Sequence, residues 1–191
     1  MSQEQAMRNG KNGKQADGEK PPIFDEDTIA FAARMFDYAR SGQAEELAQV
    51  LAMGLPPNLR NDKGDTLVML ASYHGHADAV RRLLAAGADP SLANDRGQTP
   101  IAGACFKGDA DVVRALLDGG AAVDGHGGDG RTPLMTAAMF NRLEIVELLL
   151  DHGADPARRD LRGMTAEDLA KHMNAPDTSV RLSRAKGDRQ N

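Results

Sequence analysis

A fixed spacing of 33 residues constrains this chain more than any other feature. Gly64, Gly97, Gly130 and Gly163 recur at that interval, and so do Thr66, Thr99, Thr132 and Thr165. Each segment closes on a second glycine in the same register, at Gly87, Gly120 and Gly153. A unit this short cannot bury an apolar face alone. It buries it against the next copy, so the period predicts a stack of helical units sharing one continuous core.

Inside each unit the residues spell out one plan. A threonine hydroxyl caps a first helix, and Pro100 and Pro133 follow at the first helical position, where a missing N–H is harmless. The first helices read Leu67 to His74, Pro100 to Lys107 and Pro133 to Phe140. Gly75, Gly108 and Asn141 end them, residue types that tolerate a left-handed backbone. Second helices carry Val80 and Leu83-Leu84, Val112-Val113 and Leu116-Leu117, and Ile145-Val146 with Leu148 to Leu150, a spacing that marks one buried face. Loops expected to be hairpin-like then lead to the next Gly-x-Thr.

Counting back 33 places Gly42, Leu47, Leu51 and Gly54 under Gly75, Val80, Leu84 and Gly87. The segment 25–60 is therefore a degenerate first unit. Its helix is expected to start at Asp25 or Asp27 and to present Ile29, Ala32, Ala33, Phe36 and Ala39 on one face. At the other end Asp168 takes the capping-box position after Thr165, Pro176 can open a second helix, and Leu182 falls in register with Leu83, Leu116 and Leu149. Polar residues replace most other apolar positions there, as suits an end cap.

These glycines, threonines and prolines at this spacing resemble the ankyrin repeat. The likeness spans about residues 25 to 184: a cap at 25–60, full repeats at 61–93, 94–126 and 127–159, and a cap at 160–184. A tail at 1–22, rich in Gln, Asn, Gly and Lys, is expected to be disordered, and 185–191 to fray. The family's Thr-Pro-Leu-His tetrapeptide is altered: Met69, Ala102 and Met135 replace the histidine and Leu67 the first proline. That histidine helps hold the loops in the family, so the resemblance implies looser loops but the same fold. It implies an all-α solenoid with projecting loops that binds proteins and does no catalysis.

Composition narrows the alternatives. Of 191 residues, 41% are hydrophobic but only 4% aromatic, with no Trp, which predicts a core of Ala, Leu, Val and Met. Residues 23–175 hold 15 Lys/Arg against 23 Asp/Glu, an acidic body that disfavours nucleic acid. One cysteine, Cys105, excludes an internal disulfide, and no apolar run approaches the roughly 20 residues of a membrane span. A cytoplasmic, monomeric protein is expected. Cys105 aligns with Ser72 and Ala138, small positions facing the stack. His74-x-His76 lacks the further ligands of a metal site, and the run Gly125 to Gly130 lacks the Lys-Ser/Thr of a phosphate loop. No catalytic set, cofactor site or metal site is expected.

In the family's architecture, contacts come from the ends of the first helices and from the loop tips. The helix-end column reads Arg40, Tyr73, Phe106, Met139, His172, and its neighbour reads Ser41, His74, Lys107, Phe140. Three of the chain's seven aromatics fall here, where packing does not demand a ring. Tyr73, His74, Phe106, Lys107, Met139 and Phe140 are thus the expected partner-binding groove, with Tyr73, Phe106 and Met139 as an apolar stripe. At the tips stand Asp62, Lys63 and Asp65, then Asp95, Arg96 and Gln98, then His126, Asp129 and Arg131, flanked by Arg60, Arg159 and Arg162. Their mixed charges can set specificity and on-rate for a protein partner. The expected function is an adaptor or inhibitor. The alternatives are an immunity-like inhibitor or effector with one tight partner, and an enzyme whose turnover would depend on His74 or His126.

Overall fold

The computed structural model describes residues 26–188, with side chains to residue 185. The segment 1–22 and residues 189–191 lie outside that range. Among the described residues ten helices form five pairs: α1 Glu26–Ser41 with α2 Ala44–Ala52, α3 Leu67–Tyr73 with α4 Ala77–Ala85, α5 Pro100–Lys107 with α6 Ala110–Asp118, α7 Pro133–Met139 with α8 Leu143–Asp151, and α9 Ala166–His172 with α10 Pro176–Asp188. First helices pack on first helices and second helices on second helices along the stack.

Helix starts follow the threonines. Thr66, Thr99, Thr132 and Thr165 are buried, and each hydroxyl accepts the backbone N–H three residues on, from Met69, Ala102, Met135 and Asp168. Such a cap typically contributes about 1 kcal/mol. At Thr165 the box is reciprocal: an Asp168 carboxylate oxygen accepts the Thr165 N–H at 3.0 Å.

One apolar cluster runs from Met35 to Leu182. Leu83, Leu116, Leu149 and Leu182 are fully buried in one layer, each contributing roughly 1.5–3 kcal/mol through burial. Ala39, Ser72, Cys105 and Ala138 are buried where first helices meet, small enough for close approach. The Ser72 hydroxyl donates to the Val68 carbonyl, and burial pushes the Cys105 thiol pKa far upward. Cys105 is thus a packing group.

The C-terminal cap is stapled to the third repeat through Asn141. This residue holds a left-handed backbone (φ 53°) at the end of α7, and its side-chain oxygen accepts the N–H groups of Asp177 and Thr178 at 3.2 Å. The Thr178 hydroxyl donates to the Ala138 carbonyl at 2.8 Å. A glycine would serve the backbone but leave the start of α10 without these partners.

Among the described residues there is no strand, only an isolated bridge between Arg60 and Thr66. The hairpin-like loops are tight turns closed by backbone pairs: the Asn94 N–H donates to the Gln98 carbonyl and the Gly97 N–H to the Asn94 carbonyl, and Asn61 and Asp160 repeat the pattern. Side chains brace them further. Asn61 accepts the N–H groups of Lys63 and Asp65, Asn94 those of Arg96 and Gln98, and Asp160 those of Arg162 and Met164. The face expected for the N-terminal helix needs correction: the helix buries Met35, Phe36 and Ala39 but leaves Ile29 58% exposed and Ala33 exposed. It has 16 residues and the α3 beside it seven, so its first turns run past their neighbour. Asp27 lies within this helix and does not cap it; Asp25 is outside the described residues. The last helix, α10, opens at Pro176 and runs through Asp188.

Candidate binding groove

Because the first helices end side by side and each loop turns beside its helix, residues of the N-terminal cap and the three full repeats converge on one groove of about 770 Å³. Tyr73, His74, Phe106, Met139 and Phe140 line it from the helix ends. Asp62, Lys63, Asp65, Arg96, Gln98, Asp129 and Arg131 line it from the loops, which we call fingers. Asp95, His126 and Lys107, named with them from sequence, do not line it. The Asp95 carboxylate lies over Gly64, and the His126 ring turns onto the neighbouring Gly127 carbonyl at 3.0 Å.

The rings remain open to solvent: Tyr73 and Phe106 are 42% exposed and Phe140 37%. Tyr73, Phe106 and Met139, the stripe that the register suggests, all line the groove, and further contacts join these side chains to their neighbours. Phe106 meets Phe140 edge to face with centroids 4.7 Å apart, a geometry typically worth about 0.5–1.5 kcal/mol. Met139, half-buried, packs against the core. The Tyr73 ring instead carries the Lys107 ammonium, 5.0 Å from its centroid. Counting by 33 finds residues in one column, but these contacts run between columns.

Lys107 lines a second hollow of about 420 Å³ beside the groove, with Tyr73, His74, Asp109, Asp111 and Glu144. Its origin is a short side chain. His76 reaches back to the Arg40 carbonyl at 2.8 Å, and Arg142 to that of Phe106 at 3.3 Å. Asp109 holds the same register position between them, but it caps its own helix through the Val112 N–H. His74 stands at the boundary of both cavities. Burial, and then the charges of His76, Lys107 and Arg40, hold its pKa below the usual 6.5.

Three finger residues serve the fold rather than the surface. Asp65, expected at a tip, is buried, and its carboxylate accepts the side-chain amides of Asn94 at 2.9 Å and Asn61 at 3.3 Å. Arg60 donates to the Gly64 carbonyl and to the Ala93 carbonyl of the next finger, and Arg159 donates to the Gly163 carbonyl at 2.7 Å. Asn61 and Asn94 thus brace the first two fingers, where Met69 and Ala102 stand in the tetrapeptide. Sequence reading also passed over Leu161, 78% exposed at the fourth finger. The register itself identifies it, since it aligns with Asp62, Asp95 and Gly128.

A family model for ankyrin repeats (three copies) matches residues 35–124 and 69–160, more than half of the chain. The chain belongs to the ankyrin-repeat family. Among curated proteins, an ankyrin repeat protein of Pseudomonas aeruginosa is 58% identical over 55 residues, 29% of this chain. The chain matches about a third of that relative's length, 32%. Ankyrin repeats are protein–protein interaction modules, and the family is typically non-catalytic. No helix among the described residues is long and apolar enough to cross a membrane.

Proposed function

We propose that this ankyrin-repeat chain is a non-catalytic adaptor or inhibitor that grips a protein partner along the groove between the helix ends and the fingers. The observation that carries this reading is the set of Tyr73, Phe106 and Phe140, over a third exposed in a chain with seven aromatics. Aromatic side chains at such positions act as anchors, often contributing about 2 kcal/mol or more each. Rigid repeats present them already ordered, which lowers the entropic cost of association.

Site-specific photo-crosslinking tests this. A crosslinking residue at Phe106, introduced into the full chain in its native cells, is expected to yield a discrete protein adduct. The same residue at Arg114, exposed on α6, is expected to yield none of that adduct. Equal adducts from both positions, or none from Phe106, would refute groove binding.

A further inference from the structure

The charges around the groove divide into those already held and those left over. Arg40 pairs with Asp37 at 2.7 Å, and the buried Asp65 is taken up by the two asparagines. Lys63 and Arg96 have no acid within ion-pair distance among the described residues. Arg131 lies a loose 3.5 Å from Asp129, and among the described residues its buried Nε–H has no acceptor. The rest of its side chain stays partly open, 31% exposed. Successive fingers therefore each offer a cation to the groove, opposed by one unpaired acid, Asp62. This local excess is set in a chain of net charge −5.

On the opposite wall Arg40 lines the groove, and with Lys107 of the adjoining hollow it is among the charges that, after burial, depress the His74 pKa. Between the walls stand the exposed rings. On the strength of the groove reading above, we propose that the occupant is a protein segment with carboxylate side chains beside an apolar anchor. The anchor seats on Tyr73, Phe106 and Phe140, and the carboxylates meet Lys63, Arg96 and Arg131. Adjacent repeats lie about 10 Å apart, the spacing of packed helices. At roughly 3.3 Å per residue, an extended segment meets Lys63 and Arg96 with acids two to four residues apart. The acidic body repels acidic chains elsewhere, which confines their binding to this groove.

Panning a phage-displayed random peptide library on the full chain tests the assignment. Selected peptides are expected to be several-fold enriched in Asp and Glu near Leu, Phe, Met or Trp. They should lose at least tenfold affinity for the Lys63→Glu/Arg96→Glu variant, and lose it progressively with added salt. That variant alters solvent-facing tips, and an unchanged urea midpoint certifies its fold; Lys63→Gln/Arg96→Gln should show a smaller loss of affinity. Peptides that depend on Tyr73 and Phe106 but are neutral or basic, or ignore the charge reversal, would overturn the acidic chemistry and leave groove binding standing. Peptides indifferent to Tyr73→Ala/Phe106→Ala, or no enrichment at all, would overturn both.

Discussion

The second and third fingers stand one repeat apart on the same groove and keep their shape by different means. In the second, Asn94 brackets the turn through the N–H groups of Arg96 and Gln98 and ties it sideways to the buried Asp65. A backbone bond from the Asp95 N–H to the Lys63 carbonyl joins it to the first finger. In the third, the bracketing position is Gly127, and among the described residues no corresponding backbone bond links Gly128 to Arg96. Its turn is closed by the Gly130 N–H on Gly127 and by Asp129 accepting the Arg131 N–H.

The reason is room. A Cβ on Gly127 would fall well inside the van der Waals radius of the Gly97 carbonyl oxygen. Close approach of two backbones thus stands in for the bracket. A departure from the repeat that reads from sequence as decay is a packing choice.

The largest test of this contrast is Asn94→Ala. It strips two backbone N–H groups of their acceptor and leaves the buried Asp65 short of a donor. A loss of about 3 kcal/mol in urea unfolding is expected, since each buried group left unpaired is unfavourable by roughly 1–3 kcal/mol. A loss below 1 kcal/mol would mean that the second finger is held no more firmly than the third.

Gly127→Asn comes next, because register and packing predict opposite signs. Register alone says that asparagine repairs the bracket. Overpacking against Gly97 instead predicts a loss of about 1–3 kcal/mol. Gly128→Ala is the control: nothing lies within 4 Å of a Cβ there, so less than about 0.5 kcal/mol is expected. Stabilisation by Gly127→Asn would contradict the account.

How much of this was legible in the sequence depends on what each residue answers to. Helix caps, buried leucines and the exposed rings Tyr73, Phe106 and Phe140 follow from local chemistry repeated at a fixed interval, so counting finds them. Asp65 was misread as a tip because its burial depends on Asn94, 29 residues away, whose amide accounts for its charge. The Phe106–Phe140 and Tyr73–Lys107 pairs lie across columns, where a count by 33 has no reach. The packing role of Gly127 was hidden because a sequence shows the missing side chain and not the carbonyl that excludes it.

The smallest effect is expected on the wall opposite the fingers. His74 should titrate below 6.5 by NMR, and Lys107→Met should raise its midpoint by removing a nearby cation. Below about pH 6.5 the unfolded chain takes up a proton that folded His74 resists, so His74 contributes a loss of stability as pH falls from there toward its folded pKa. A midpoint at or above 6.5 would remove the positive field inferred for that wall.

The central claim is that residues the repeat does not need are the ones that bind. Tyr73→Ala with Phe106→Ala tests it most directly, when cooperative urea unfolding and affinity for the partner crosslinked at position 106 are measured on one preparation. The expected result is unfolding shifted by no more than about 1.5 kcal/mol, the share of the Phe106–Phe140 ring pair, with affinity lowered a hundredfold or more, as two anchors of about 2 kcal/mol each imply. Affinity intact in a folded variant would contradict the account, and so would loss of cooperative unfolding, which would make these rings part of the fold.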